Sequence, residues 1–268
     1  MKPLPGRLVL LGHPVSHSLS PAFQNAALRR AGLPLTYEAL DVPPDALDTV
    51  LEELVSVQAA GNVTIPHKER VAERCARLTP LAERVGAVNT FWTEDGALVG
   101  DNTDVAGFQE ALAQLCPDFD RERPIAVLGA GGAAAAVLAA LEEDGFAEVR
   151  VYGRTWARAS ALSTRFAGVR PVVTEAEAVH GAAIVVNATP VGLDGRSLPL
   201  DVALLESESA VLDLIVAPNE TPLVHAARNR GLRASDGLTM LLAQGALAFE
   251  RWLGFAPDRE AMSQAVVR

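Results

Sequence analysis

Lys68 is one of only two lysines in a chain of 268 residues that carries 23 lysines and arginines. Arginine stands almost everywhere that a fixed cation suffices. A guanidinium keeps its proton near neutral pH, whereas a lysine amine can be tuned by burial and neighbours to give one up and take it back. Lys68 therefore reads as a candidate acid–base group, against the plainer alternative of a lysine that ends up on a helix by compositional chance. It closes the segment NVTIPHK, residues 62–68, in which a short strand ends at Val63 and Thr64 and Pro66 is expected to open a helix at once. Catalytic groups often sit at such strand ends.

A second group of residues points to a phosphate-bearing ligand. Gly129, Gly131 and Ala134 form G-x-G-x-x-A between the apolar run Ile125 to Leu128 and an alanine-rich helical stretch. Glycines there allow a tight turn and a close backbone approach to a pyrophosphate, whose charge meets the free amides of the helix N-terminus. The alternative is a glycine turn that only lets a helix pack closely. The next strand, Glu148 to Tyr152, ends without the acid that would bind a ribose 2′-hydroxyl; GRTWAR follows, with Arg154, Thr155 and Arg158. Two guanidinium groups and a hydroxyl suit a 2′-phosphate, and cations are disfavoured at a helix start unless an anion joins them. The cofactor expected from these residues is NADP(H).

The elements that must position these groups alternate between β-rich runs and helical stretches, the pattern of α/β folds. Strands are expected at Arg7 to Leu11 and Leu35 to Leu40, and helices at Ser20 to Ala31, with Ser20 as N-cap, and at Asp45 to Val55. Asn89 to Trp92 and Ala97 to Val99, joined by TEDG, suit a hairpin with an Asp-Gly turn. A helix from Asp104 to Leu115 follows, then the polar stretch 116–124 and a fresh strand–turn–helix unit. Leu238 to Leu253 has apolar residues at three- and four-residue spacings and stops at Gly254, as a long helix would. The predicted organisation is a substrate domain over 1–103, completed by 236–268, and a Rossmann-type doubly wound cofactor domain over 104–235, with the C-terminal helix returning to the first.

Composition excludes several classes. A formal net charge of −10 lacks the basic face that nucleic-acid backbones require, so no nucleic-acid partner is expected. The apolar run near the start is too short for a signal core or a membrane span, which makes a cytoplasmic protein with no membrane partner the expectation. Cys75 and Cys116 lie far apart with no histidine at ligand spacing, so neither a disulfide framework nor a metal site is expected. Oligomeric state is open, a homodimer among the alternatives.

Taken in order, GHPVSHSLSP (12–21), NVTIPHK (62–68), GAVNT (86–90), DNTD (101–104), GAGGAA (129–134), NATPVG (187–192) and the block from Gly237 through Gln244 to Trp252 resemble the shikimate dehydrogenases, across nearly the whole chain. The resemblance implies a substrate domain and an NADP domain facing across a cleft, and reversible hydride transfer between NADPH and 3-dehydroshikimate in aromatic amino acid biosynthesis. It implies Ser16 and Ser18 on the substrate carboxylate, Asn62, Thr64, Asn89, Asp104 and Gln244 around its hydroxyls, and Lys68 with Asp104 as the catalytic pair. Asp104 as a helix N-cap is the structural alternative, and the two roles are compatible. For the cofactor it implies Gly129, Ala130, Gly131, Gly132, Ala133, Gly153, Arg154, Thr155, Arg158, Thr189, Leu214 and Gly237. Three positions depart from the family pattern: Gly153 stands for an asparagine, Leu214 for a methionine near the nicotinamide, and Val216 for a tyrosine that reaches substrate. Rival readings are a broader quinate/shikimate dehydrogenase that also takes NAD, a catalytically silent metabolite sensor, and a thiol-dependent reductase.

Overall fold

The structure is a computed structural model that describes residues 3–118, 120–217 and 219–266, and it divides into two compact units, 1–103 with 242–268 and 104–241. The first unit is built on β1 (Leu8–Gly12), α1 (Ser20–Arg30), β2 (Tyr37–Asp41), α2 (Leu47–Ser56), β3 (Ala60–Val63), α3 (Lys68–Arg74), β4 (Arg77–Leu78), α4 (Pro80–Val85), β5 (Thr90–Glu94) and β6 (Ala97–Asp101). Its sheet has the order β2-β1-β3-β5-β6-β4. Strands β1, β2 and β3 run parallel, β5 runs against both β3 and β6, and β4 runs with β6. The β5–β6 hairpin turns through Asp95 at φ 53° and Gly96 at φ 75°, the left-handed pair that a tight two-residue turn requires. One face of this sheet is covered by α2 through Leu47, Leu51 and Leu54, packed on Val9, Leu11, Val63 and Phe91.

The second unit starts with α5 (Asp104–Leu115) and continues through β7 (Ile125–Leu128), α6 (Gly132–Glu143), β8 (Val149–Tyr152), α7 (Trp156–Arg165), β9 (Val169–Val172), α8 (Glu175–Val179), β10 (Ile184–Asn187), β11 (Ala210–Asp213), α9 (Pro222–Asn229) and β12 (Arg233–Ser235). Its strands lie in the order β12-β11-β10-β7-β8-β9, all parallel. The chain winds outward from β7 in one direction and from β10 in the other, the doubly wound arrangement expected from the sequence. Strands β7 and β10 are wholly buried, so β7 and the first three residues of β10 read as unbroken apolar runs rather than alternating ones. The C-terminal helices are α10 (Leu238–Leu253) and α11 (Arg259–Gln264); α10 ends where Gly254, at φ 80°, donates its N–H to Glu250 O at 2.8 Å.

Three local expectations need correction. Helix α3 begins at Lys68, not Pro66, because 64–67 forms a turn closed by His67 N–H on Thr64 O at 3.0 Å. Ser20 lies inside α1, and the hydroxyl that accepts its N–H is that of Ser18, at 3.2 Å. Asp104 is the first helical residue of α5 rather than the residue before it. Strands β4, β9 and β12 were not anticipated; each is short and lies at an edge of its sheet, where a weak apolar signal suffices.

Candidate active site

Strand direction gathers the motifs of the first unit. Because β3 and β6 run together and β5 runs against them, the ends of β1, β3 and β6 and the start of β5 share one edge of the sheet. GHPVSHSLSP leaves β1 there, NVTIPHK leaves β3, DNTD leaves β6 and GAVNT enters β5.

On that edge the buried amides are held by their neighbours. Asn62 Oδ1 accepts from the Tyr37 hydroxyl at 2.8 Å and its Nδ2 donates to Asn89 O at 3.1 Å. Burial raises the Tyr37 pKa well above that of an ordinary phenol, so the hydroxyl stays a donor at every physiological pH. Its ring stacks on Trp252, with centroids 5.8 Å apart, and Trp252 Nε1 donates to Thr90 Oγ1 at 2.9 Å. Asn89 Oδ1 accepts from Thr103 N at 2.7 Å while its Nδ2 donates to Gln244 Oε1 at 3.1 Å, so α10 delivers Gln244 onto the same network. Thr64 sits half-buried beside Gly12, where a Cβ would lie 2.4 Å from the Thr64 methyl. A side chain at Gly12 would displace it.

Lys68 opens α3 half-buried, and its carbonyl accepts from Val88 N at 2.9 Å, which fixes the helix start against the segment leading to Asn89. The neighbouring His67 is buried with Nε2 at 2.7 Å from Val42 O; a carbonyl only accepts, so Nε2 carries the proton and the ring is structural. Ser16 is exposed and Ser18 half-buried after β1. The role of Asp101 was missed. Buried to 2% exposure, it accepts from Thr79 Oγ1 at 2.5 Å, Asn102 N at 2.8 Å and Arg251 Nε at 2.9 Å, and thereby anchors the DNTD segment. The motif string contained it, but nothing in the string announces Thr79 or Arg251 as its partners. Asp104 itself is 4% exposed in the first turn of α5.

The second unit has its own polar edge, at the C-terminal ends of its strands, where β7 and β10 mark the reversal of winding. Gly129 follows β7 at φ 116°, with a Cβ position 2.8 Å from Ala188 O, so both conformation and space demand glycine. Gly131 caps α6 with no side chain, and a Cβ there would meet nothing within 4 Å; no acid occupies the first turn. The free amides of this helix start, in the turn formed by Gly129, Ala130, Gly131, Gly132 and Ala133, are thus left an open cradle for an anion. After β8, Gly153 packs toward Ala130, with its Cβ position 3.3 Å from the Ala130 Cβ. Arg154, Thr155 and Arg158 are exposed, Thr155 caps α7 without a side-chain cap bond, and α7 also lacks an acid in its first turn. This donor set fits a phosphorylated dinucleotide. Across the winding reversal, Thr189 donates both its N–H and its hydroxyl to Asn187 Oδ1, at 3.0 and 2.7 Å. Leu214 N–H donates to Asn187 O at 3.0 Å, and a Cβ at Gly237 would lie 2.4 Å from Leu214 O.

Among the described residues no group of His, Cys, Asp and Glu is placed to hold a metal ion, and no helix is long and apolar enough to cross a membrane.

Three family models match: the shikimate dehydrogenase substrate binding domain over residues 10–91, shikimate/quinate 5-dehydrogenase over 111–191, and the shikimate 5′-dehydrogenase C-terminal domain over 237–267. The chain is 44% identical over 264 residues to the shikimate dehydrogenase (NADP(+)) of Mesorhizobium japonicum, covering 96% of this chain and 93% of that one. With the enzyme of the same name from a strain of Thermus thermophilus it shares 45% over 263 residues, covering 98% of each. The crystal structure of shikimate 5-dehydrogenase from another strain of Thermus thermophilus, in complex with NADP(H) and shikimate, superposes with a TM-score of 0.88 at 44% identity, covering 97% of this chain and 98% of that one. Shikimate dehydrogenase from Aquifex aeolicus gives a TM-score of 0.90 at 37% identity, with 98% of each chain covered. The chain belongs to the shikimate dehydrogenase family.

Proposed function

We propose that this protein is an NADP-dependent oxidoreductase that interconverts 3-dehydroshikimate and shikimate in aromatic amino acid biosynthesis. The observation that carries the reading is the convergence of Asn62, Thr64, Asn89 and Gln244 on one edge of the first unit, a set of neutral hydrogen-bonding side chains suited to a small polyhydroxylated acid. A site built to bond a hydroxyl discriminates strongly, because a substrate lacking that hydroxyl leaves a buried polar group unpaired.

NADPH, when bound, supplies the hydride. Gly129 to Ala133 and the start of α6 would hold its pyrophosphate, Arg154, Thr155 and Arg158 its 2′-phosphate, with Gly153 allowing the close approach between them. Thr189, Leu214 and Gly237 would line the nicotinamide half. Ser16 and Ser18 would take the substrate carboxylate. Reduction of a ketone needs a proton at the new hydroxyl oxygen, and oxidation must remove it. Lys68 would hold and move that proton at Nζ, with Asp104 as its catalytic partner. The substrate domain would be 1–103 completed by 236–268 and the NADP domain 104–235, the second boundary lying six residues before the 241/242 division of the compact units. The protein acts in the cytoplasm, with a homodimer the assembly to look for by light scattering.

Loss of NADPH absorbance with 3-dehydroshikimate tests the reading, run beside 3-dehydroquinate and beside NADH. Turnover of 3-dehydroshikimate with a strong preference for NADPH is the expected result. Binding without turnover would make the chain a metabolite sensor, and equal rates with both acids and both cofactors would make it a broader quinate/shikimate dehydrogenase.

A further inference from the structure

Asp213, the last residue of β11, is completely buried, yet its carboxylate meets neutral donors only: Asn187 Nδ2 at 2.8 Å and Ile215 N at 3.2 Å on Oδ1, and Thr221 Oγ1 at 2.7 Å on Oδ2. Burial raises its pKa above the usual carboxylate value, a cost that these hydrogen bonds only partly offset. Burying a carboxylate without a cation is unfavourable. A residue serving packing alone would be apolar. What an aspartate uniquely provides here is acceptor capacity for several donors at once, since an ionised carboxylate has no proton to donate.

The donors it gathers are the ones that shape the cofactor edge. With its Nδ2 committed to Asp213 and to Val191 O at 3.2 Å, Asn187 must turn Oδ1 outward, and Oδ1 is what both groups of Thr189 bond. The bond from Ile215 N curls the chain immediately after Leu214, whose own N–H is held by Asn187 O. Ile215 O then accepts from Gly237 N at 3.0 Å. Thr221, at the third corner, caps α9 through its bond from Val224 N at 3.3 Å. The glycine turn and the arginines follow β7 and β8, so a dinucleotide that straddles the winding reversal lays its other half over the ends of β10 and β11.

We infer that Asp213 is a positioning residue for the nicotinamide half of the cofactor cradle, one carboxylate that sets Thr189 through Asn187 and Leu214 through Ile215. The inference rests on the NADP reading above. Its test is calorimetric binding of NADPH and of adenosine 2′,5′-bisphosphate, which carries only the adenine half, to the wild-type chain and to Asp213→Asn, Thr221→Val and Thr221→Ser. Asp213→Asn should weaken NADPH about tenfold or more, the scale of a misdirected hydrogen bond to a charged group, and leave the bisphosphate within about twofold. Thr221→Val should show the same split more weakly, and Thr221→Ser, which keeps the hydroxyl, should restore wild-type binding of both. Equal weakening of the two ligands, or unchanged NADPH affinity in both Asp213→Asn and Thr221→Val, overturns the inference. Should Asp213→Asn fail to fold, the Thr221 pair decides. A wild-type chain that does not bind the bisphosphate would instead sink the NADP reading itself.

Discussion

Asn89 donates through Nδ2 to Oε1 of Gln244 at 3.1 Å, joining two buried amides 155 positions apart in sequence. The bond orients the Gln244 amide, since the oxygen must face Asn89 and the nitrogen the other way. Gln244→Glu keeps an acceptor for Asn89 but replaces the amide nitrogen with a second carboxylate oxygen. Beside an anionic substrate this should raise KM by about tenfold or more, equivalent to one hydrogen bond lost with a repulsion added, and lower kcat less. Steady-state kinetics across shikimate concentrations reads the split; an unchanged KM would remove Gln244 from the substrate site.

Lys68→Arg retains the positive charge and most of the length while removing the amine that exchanges a proton near neutral pH. Turnover should fall by roughly 10²- to 10⁴-fold, the range of a lost general acid–base contribution, with substrate binding affected far less. Near wild-type kcat in a normally folded variant would transfer the proton-transfer role to Asp104.

Replacing both Arg154 and Arg158 by serine should weaken NADPH much more than NADH, because only the former carries the 2′-phosphate. Each charge-assisted hydrogen bond contributes about 1.5 to 3 kcal/mol, so the selectivity ratio should drop by at least tenfold. Kinetics with both cofactors decides, and equal losses would discredit the assignment.

Cys75 is half-buried, and burial pushes its thiol pKa up to about 12; the thiol of the buried Cys116 is also shifted upward by burial. The thiolate is the reactive form. Alkylating reagents at about pH 8 should therefore leave activity intact, with labelling limited by unfolding, and fast inactivation would revive a thiol mechanism. The sign of the linkage is also fixed: between the ordinary thiol value of 9.0 and about 12 the folded chain binds more protons than the unfolded one at Cys75. This group's contribution to stability is full below the lower value and declines as pH rises through the window. Comparison of denaturation midpoints for wild type and Cys75→Ala from pH 8 to pH 11 measures it.

Much of this protein was determined by its sequence alone, and the reasons are local. Periodicity and a glycine stop placed α10 at its observed ends, and the strand–turn–helix around Gly129 needed only the residues between Ile125 and Ala134. A lysine in an arginine background, and arginines where an acid is usual, marked Lys68 and the 154–158 segment without any knowledge of the fold. Ordered motifs then identified the family. Tertiary structure decided what depends on partners distant in the chain. Whether Asn62 is held by Tyr37, Asp101 by Arg251, or Asn89 by Gln244 follows from strand order and helix placement, and a hydrogen bond between residues far apart leaves no periodic trace in either segment. Asp213 shows the limit most clearly: in sequence it is one acid at the end of an apolar run, and only the parallel pairing of β11 with β10 brings its carboxylate to Asn187.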